Sequence, residues 1–302
     1  MQQESKKAVV AALICNFCIA AFKFAAALLS GSSSMLAEAY HSVSDTFNQI
    51  LLLIGLKSSR RKADAGHPFG HGQNQFFWSF MVAIILFAVA GGLSIREGTH
   101  KLLHPEPITK IWLAYLAIAV AVFFESLALR MAIQSIKAEM KKEKHENFFH
   151  AIRDSKDPTI LTVLFEDSLA LAGLAIAAVA ITLVQITGEL IIDAIASIVI
   201  GTLLMVFAFF LAVETKKLLI GESMSSLKRT QIIEVVNSFD EVVRVIRLKS
   251  MHLSSDDVLV VIEIEYSKGL VVEELEKIND RIEAKIEEIL PNARVYLEPE
   301  DK

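Results

Sequence analysis

The chain has 302 residues, of which 53% are hydrophobic and 22% are charged, and its formal net charge is −5. The mean hydropathy is positive although charged residues are plentiful, which indicates that the apolar residues are gathered into separate runs. We expect no nucleic-acid partner for this acidic chain.

Six apolar runs are long enough to cross a membrane, for which ~20 residues suffice. They are Ala8 to Leu29, Met35 to Leu56, Phe76 to Ser94, Ile111 to Ile133, Ile160 to Val184 and Leu190 to Val213. After Val213 no run of this length follows. The sequence therefore predicts an α-helical membrane protein with a six-helix transmembrane domain at residues 1–213.

The first two runs carry ionisable residues at membrane depth. Lys23 in the first run is expected to be a snorkelling or internally paired amine, and a direct role in ion passage is the alternative. The second run carries Glu38, His41 and Asp45. Because His41 and Asp45 stand four residues apart, they share one face of a helix, at the spacing of two ligands for one metal ion.

The segment after the second run contains Asp64, His67 and His71, at spacings of three and four. One carboxylate and two imidazoles suit a metal ion. A solvated turn is the alternative, because the glycines and the proline of this segment would form one without metal. We predict a weaker or regulatory metal site here.

The fifth run carries Glu166 and Asp167 near the depth of the second-run residues. Polar groups at this depth are costly and mark ion or proton paths. Residues 166 and 167 lie about 100° apart around a helix, so both carboxylates bind one ion only if the longer Glu166 bends toward it.

The last 89 residues hold 19 of the 35 acidic side chains and 13 basic ones. Their pattern predicts a helix at 228–237, strands at 242–249 and 257–266, a helix at 271–289 and a strand at 294–297. This α-β-β-α-β order predicts a small soluble, ferredoxin-like α+β domain at residues 214–302.

Basic residues are concentrated in the segments after the second and fourth runs. These are Lys57, Arg60, Arg61 and Lys62, then Arg130, Lys137, Lys141, Lys142, Lys144, Arg153 and Lys156. The opposite segments hold only Arg96, Lys101 and Lys110. The positive-inside rule therefore places both termini in the cytoplasm. We expect a bacterial inner membrane, and the alternative is an organelle whose transit segment was trimmed from the chain.

The chain resembles the cation diffusion facilitator family of divalent metal transporters. The resemblance lies in residues 30–45, SGSSSMLAEAYHSVSD, in residues 67–72, HPFGHG, and in Asp193 early in the sixth run. The Glu166-Asp167 pair and residues 103–107, LHPEP, are similar to the branch that includes the animal mitochondrial zinc exporter. The resemblance covers essentially the whole chain.

The resemblance implies a transport site with His41 and Asp45 as ligands from the second helix and Asp167 from the fifth. The partner four residues before that aspartate is usually His or Asp, and here it is Val163. A tetrahedral site then takes Glu166 or a water as its fourth ligand. Otherwise Glu166 supports the ligands or accepts a proton. Asp64, His67 and His71 match the family's loop metal site.

The family implies efflux of a divalent cation, and we expect this cation to be zinc. Mn²⁺, Fe²⁺, Co²⁺ and Cd²⁺ are alternatives, because one imidazole among carboxylates is a permissive ligand set. Zinc and protons compete for the same ligand atoms, which predicts antiport with protons. A homodimer in a lipid membrane is implied as well. The rival functions are a metal sensor or scaffold with a degenerate site, and a membrane metallohydrolase, whose motifs are absent. We expect no enzyme activity.

Overall fold

The computed structural model describes residues 2–143 and 158–300. Its Cα atoms group into two compact units. One is formed by Met1–Gly55 and Trp78–Thr215, and the other by Leu56–Phe77 and Lys216–Lys302.

The first unit is helical. The helices that lie wholly or largely in it are α1 (Gln2–Ser30), α2 (Ser33–Ser59), α3 (Asn74–Ile85), α4 (Leu93–Leu103), α5 (Ile111–Glu143), α6 (Pro158–Thr187) and α7 (Ile191–Leu219). A π-helical segment, Leu86–Gly92, joins α3 to α4 without a break. The predicted apolar runs are therefore helical in the described part of the chain.

Four helical segments among the described residues are long and apolar enough to cross a membrane. They are Asn74–Leu103, Ile111–Met131, Leu164–Thr187 and Ile191–Leu219. In α1 a shorter apolar stretch, Asn16–Ser30, is described, and α2, which carries several polar side chains, is not among the four. The structure thus shows a helical transmembrane unit with four strongly apolar helices.

Glycines allow α7 to approach the continuous α3–α4 helix closely. A Cβ atom at Gly98 would lie 2.7 Å from Ala194 O, and one at Gly201 would lie 2.9 Å from Gly91 O. Ser197 Oγ donates a hydrogen bond of 2.9 Å to Ser94 O across the same contact. Small residues are the usual means by which membrane helices bring their backbones together.

Asp193 fixes the start of α2. Its carboxylate accepts hydrogen bonds from the backbone N–H groups of Ser33 and Ser34, at 2.6 and 3.2 Å, and from the hydroxyls of Ser32, Ser33 and Ser34. Lys101 Nζ lies 3.1 Å from the same carboxylate and also donates to Gly31 O. The N-terminus of α2 therefore holds a buried anion, which a helix dipole favours.

The second unit contains α8 (Ser226–Asn237), β1 (Val242–His252), β2 (Val258–Tyr266), α9 (Val272–Ile289) and β3 (Arg294–Pro299). The sheet order is β1-β2-β3, with β1 antiparallel and β3 parallel to β2. The predicted α-β-β-α-β order is confirmed, with ends that differ by up to three residues.

Periodicity explains the core of the second unit. In β2 the side chains of Val260, Ile262 and Ile264 are fully buried, and they pack in one cluster with Ile282 and Ile286 of α9. Residues two apart share one face of a strand, and residues four apart share one face of a helix. These two local patterns place the helix on one face of the sheet.

Candidate functional site

Helix α2 presents a polar stripe to the interior of the first unit. The stripe consists of Glu38, His41, Asp45 and Asn48, whose spacings of three, four and three keep them on one helical face. Glu38 and His41 are at most 1% exposed, and the side chain of Asp45 is 18% exposed. The stripe therefore faces other helices.

His41 and Asp45 form the expected pair. The ring Nδ1 of His41 lies 3.3 Å from Asp45 Oδ1, without the geometry of a hydrogen bond. Both ring nitrogens of His41, Oδ1 of Asp45 and Oδ2 of Asp167 are buried without a hydrogen-bond partner among the described residues. Such atoms are rare in protein interiors. The carboxylate oxygens and one nitrogen of a neutral imidazole are lone-pair donors of the kind that bind metal ions.

Glu166 is the α6 carboxylate that reaches the α2 stripe. Asn48 Nδ2 donates hydrogen bonds to its two oxygens, at 2.7 and 3.0 Å. Its side chain also interacts directly with that of Asp45. The geometry thus brings His41, Asp45 and Glu166 together, and Asn48 orients the glutamate.

Asp167 interacts electrostatically with Glu166 and with Glu125 of α5. The side chain of Val163, the position at which the family usually supplies a ligand, lies outside the described part of the chain. Among the described residues, no three ligand atoms from His41 and the intramembrane carboxylates all lie within 4.8 Å of one another. In this conformation the four predicted ligands are therefore not assembled into one compact set.

The sequence analysis did not identify Glu125 or Asn48. Glu125 interacts electrostatically with Asp45, Glu166 and Asp167. It is the only Asp or Glu in the run from Ile111 to Ile133, and this was the signal in the sequence that marked it. Lys23 is an internally paired amine, as expected, because it lies near Glu38 and Glu125.

The loop residues Asp64, His67 and His71 lie together in the second unit. One possible ligand atom from each is within 4.8 Å of the others, and this is the only such group of three among the described residues. His71 Nε2 lies 2.8 Å from Asp64 Oδ2, and the rings of His67 and His71 are 4.1 Å apart. The three residues thus form a compact group of metal-binding type.

Hydrogen bonds hold the Asp64 carboxylate in place. The bond to His71 and the backbone N–H groups of His67 and Gly66 hold the pKa of Asp64 well below its usual range. Asp64 therefore stays ionised at any ordinary pH, as a metal ligand must.

The loop rests on the β1–β2 connection of its own unit. A Cβ atom at Gly72 would collide with Leu253 O, so the backbones approach closely there. Arg294 Cζ lies 5.9 Å from the centre of the Phe69 ring and its guanidinium is paired with Asp257 at 2.7 Å. These contacts fix the loop against the C-terminal domain.

Two family models match the chain. A model described as the cation efflux transmembrane domain matches residues 9–220, and one described as the cytoplasmic domain of cation efflux proteins matches residues 224–302. Together the two matches cover the sequences of both predicted domains, apart from a short segment at the N-terminus and another between the matches.

Curated relatives agree with these models. The chain is 36% identical over 275 residues to metal tolerance protein C4 of Arabidopsis thaliana, and the matched region covers 90% of the chain and 59% of the relative. It is 33% identical over 266 residues to the mitochondrial proton-coupled zinc antiporter SLC30A9 of Xenopus laevis, at 88% and 47% coverage. Magnetosome protein MamM of Paramagnetospirillum magneticum matches 44% of the chain at 29% identity. The chain spans about half the length of the first two relatives.

Proposed function

The chain belongs to the cation efflux family of integral membrane proteins, and on that premise we propose that it exports zinc in exchange for protons. A similar protein in Xenopus laevis is named as a proton-coupled zinc antiporter, which supports both the ion and the counter-ion. Mn²⁺, Fe²⁺, Co²⁺ and Cd²⁺ are the other ions that one imidazole among carboxylates would accept.

The observation that carries the proposal is the set of unpartnered ligand atoms within the apolar unit. His41, Asp45 and Asp167 each bury a nitrogen or oxygen without a hydrogen-bond partner among the described residues. A buried polar atom left unpaired lowers the stability of the folded protein by about 1–3 kcal/mol. The cost indicates that these atoms bind a group that the chain itself does not supply. Binding a divalent cation would satisfy them.

We assign His41 and Asp45 of α2 and Glu166 and Asp167 of α6 as the ligands. Glu166 takes the place left by Val163, because Asn48 holds it beside Asp45. An open set suits transport better than a closed tetrahedral cage, because the ion must leave again. Protons compete with zinc for these ligands, which is the physical basis of exchange.

The proposed topology has six membrane crossings in residues 1–213, with both termini and the domain at residues 214–302 in the cytoplasm. It rests on the apolar runs and on the basic residues after the second and fourth of them. A bacterial inner membrane is the proposed location, and a homodimer is the proposed assembly, since the family's cytoplasmic domain is present.

The test is metal flux through the full chain in proteoliposomes. An inward zinc gradient with an outward proton gradient should drive uptake. Asp45→Ala should lower this uptake at least about 10-fold, because loss of a residue that only supports a metal ligand already costs about 10- to 100-fold. Asp280→Ala, an exposed aspartate of α9, is the matched control and should transport normally. Comparison of zinc, manganese and iron identifies the ion. Equal zinc flux with the proton gradient collapsed and reversed would exclude proton coupling.

The second candidate function is metal sensing, with the intramembrane site degenerate. It is favoured by one observation, namely that the loop group of Asp64, His67 and His71 is already assembled whereas the intramembrane set is open. A sensor would change shape on metal binding without net flux into vesicles. Flux that depends on Asp45 excludes this candidate.

A further inference from the structure

Three ionisable side chains meet inside the transmembrane unit, apart from the proposed metal ligands. Lys23 Nζ of α1 lies 3.5 Å from Glu38 Oε2 of α2 and 3.6 Å from Glu125 Oε1 of α5. The side chains of Lys23 and Glu38 are 0% exposed and that of Glu125 is 17% exposed. One amine is therefore shared by two carboxyl groups from different helices.

The charges of this cluster do not balance. With all three groups ionised, one positive and two negative charges leave one net negative charge in an apolar interior. An uncompensated charge is far more costly there than its neutral form, so the group takes up a proton instead. The cluster is neutral when Lys23 and one carboxyl are charged and the other carboxyl is protonated.

Glu38 is the carboxyl better suited to hold that proton. Its Oε1 has no hydrogen-bond partner among the described residues, and a Cβ atom at Gly173 would collide with it. The oxygen therefore faces the α6 backbone at Gly173, a position that carries no side chain. Glu125 is partly exposed, so its ionised form is less costly.

We propose that Lys23, Glu38 and Glu125 form a proton-binding site separate from the metal ligands, in which Glu38 carries a proton that is exchanged for the metal ion. The inference rests on the proposed function, and it adds Glu38 to the metal ligands as a carrier of the counter-ion. The O–H bond of the Glu38 carboxyl breaks as the metal binds, and the proton passes to water on the side from which the metal enters. The bond forms again with a proton taken from water on the other side when the metal departs there, and no other covalent bond changes.

Electrostatic interaction connects the cluster to the metal site. Glu125 interacts with Asp45, Glu166 and Asp167, while Lys23 interacts with His41 and Asp45. Among the described residues, these groups and Glu38 are the charged and titratable side chains of α1, α2, α5 and α6 that interact with the cluster or with one another. A divalent cation bound among the carboxylates favours the loss of a nearby proton. By linkage, protonation then weakens metal binding to the same extent.

The test compares two fluxes in proteoliposomes of the full chain, proton-gradient-driven zinc uptake and zinc–zinc exchange at equal pH. In Glu38→Gln the remaining pair of Lys23 and Glu125 has no net charge. The cluster is then neutral without a bound proton. We expect the ratio of driven uptake to exchange to fall about tenfold, within the usual range of coupling between sites. Glu125→Gln leaves Lys23 with Glu38 and should lower the ratio likewise.

Infrared difference spectroscopy gives a second readout. The carbonyl stretch of a protonated carboxylic acid should appear at neutral pH in the natural chain, disappear on zinc binding, and be missing from both Gln variants. Glu189→Gln changes an exposed glutamate of the same unit and should keep the band and the flux ratio.

The outcomes separate this proposal from the proposed function. A Glu38→Gln protein that keeps its driven uptake, or that loses both fluxes in parallel, overturns the proton site. A natural chain without zinc flux under any gradient overturns the proposed function instead, and the infrared band then still decides whether Glu38 is protonated.

Discussion

Single residues in the transmembrane unit differ in how their charges are compensated. Asp193 accepts hydrogen bonds from several donors and pairs with Lys101, whereas Lys23 is shared between two carboxyl groups. Buried charges are tolerated when they are paired and fully hydrogen-bonded. The balanced group is therefore suited to holding helices together, and the unbalanced one to binding a further cation.

Tyr266 gives a pH dependence that can be measured at one residue. Its hydroxyl donates a hydrogen bond of 2.6 Å to Asn279 Oδ1, and burial raises the pKa of Tyr266 to about 12. An unfolded tyrosine has a pKa of ~10, so the folded state favours the neutral form. The contribution of Tyr266 to the free energy of unfolding is complete below pH ~10, declines as the pH rises toward ~12 and is lost above it. It amounts to about 1–2 kcal/mol, because the side chain is partly exposed.

Phenolate absorbance of the full chain in detergent checks this prediction. One tyrosine should titrate about two pH units later than an exposed one, and Tyr266→Phe should remove that step. Tyr296→Phe is the matched control, because Tyr296 of β3 is 52% exposed. If the late step survives in Tyr266→Phe, another tyrosine is responsible for it.

At the scale of elements, α2 combines two functions. Its first turn is held by Asp193 of α7 through Ser33 and Ser34, and its middle carries His41 and Asp45. Because a helix is stiff over these few turns, fixing the first turn also fixes the position of the ligands. The serine run before the ligands is thus a binding site for a carboxylate of the protein itself.

Asp193→Asn tests this role. The change leaves the Lys101 ammonium buried without its counter-charge, which destabilises by about 3–5 kcal/mol. We expect a lower midpoint of thermal unfolding for the detergent-solubilised chain. The double variant Lys101→Met with Asp193→Asn should lose less than the sum of the single changes, since the two groups interact directly. Additive losses would show that the pair contributes no coupling energy.

At the scale of the whole molecule, each unit holds one candidate metal site. The intramembrane ligands belong to the first unit, and Asp64, His67 and His71 belong to the second, where the loop rests on the C-terminal domain. The loop group is assembled because local hydrogen bonds fix it, whereas the intramembrane group depends on the approach of two helices. We therefore expect two classes of bound metal ion.

Replacing His67 and His71 together by Ala should lower the bound zinc by about one ion per chain, because two of three ligands are lost. Zinc flux should continue at a reduced rate, since His41 and Asp45 remain. Equilibrium dialysis with metal analysis measures the stoichiometry. His100 of α4 and His104, the residue that follows this helix, are also four residues apart and provide the control pair for double replacement by Ala. An unchanged stoichiometry would exclude metal binding at the loop.

Local patterns in the sequence were enough to predict the apolar helices, the α-β-β-α-β order and the candidate ligands. Apolar run length, two-residue and four-residue spacing, and the His41-Asp45 pair are all properties of neighbouring residues. The metal-site assignments themselves stay predictions until flux and stoichiometry are measured.

Only the tertiary structure decided which distant groups meet. It placed Glu166 beside Asn48, 118 residues earlier, and Asp193 beside Ser32, 161 residues earlier. It also brought Glu38 and Glu125 to one amine, Lys23. Periodicity shows which face of a helix is polar, but the identity of the facing helix depends on packing between whole elements, and a single sequence does not encode that in any local pattern.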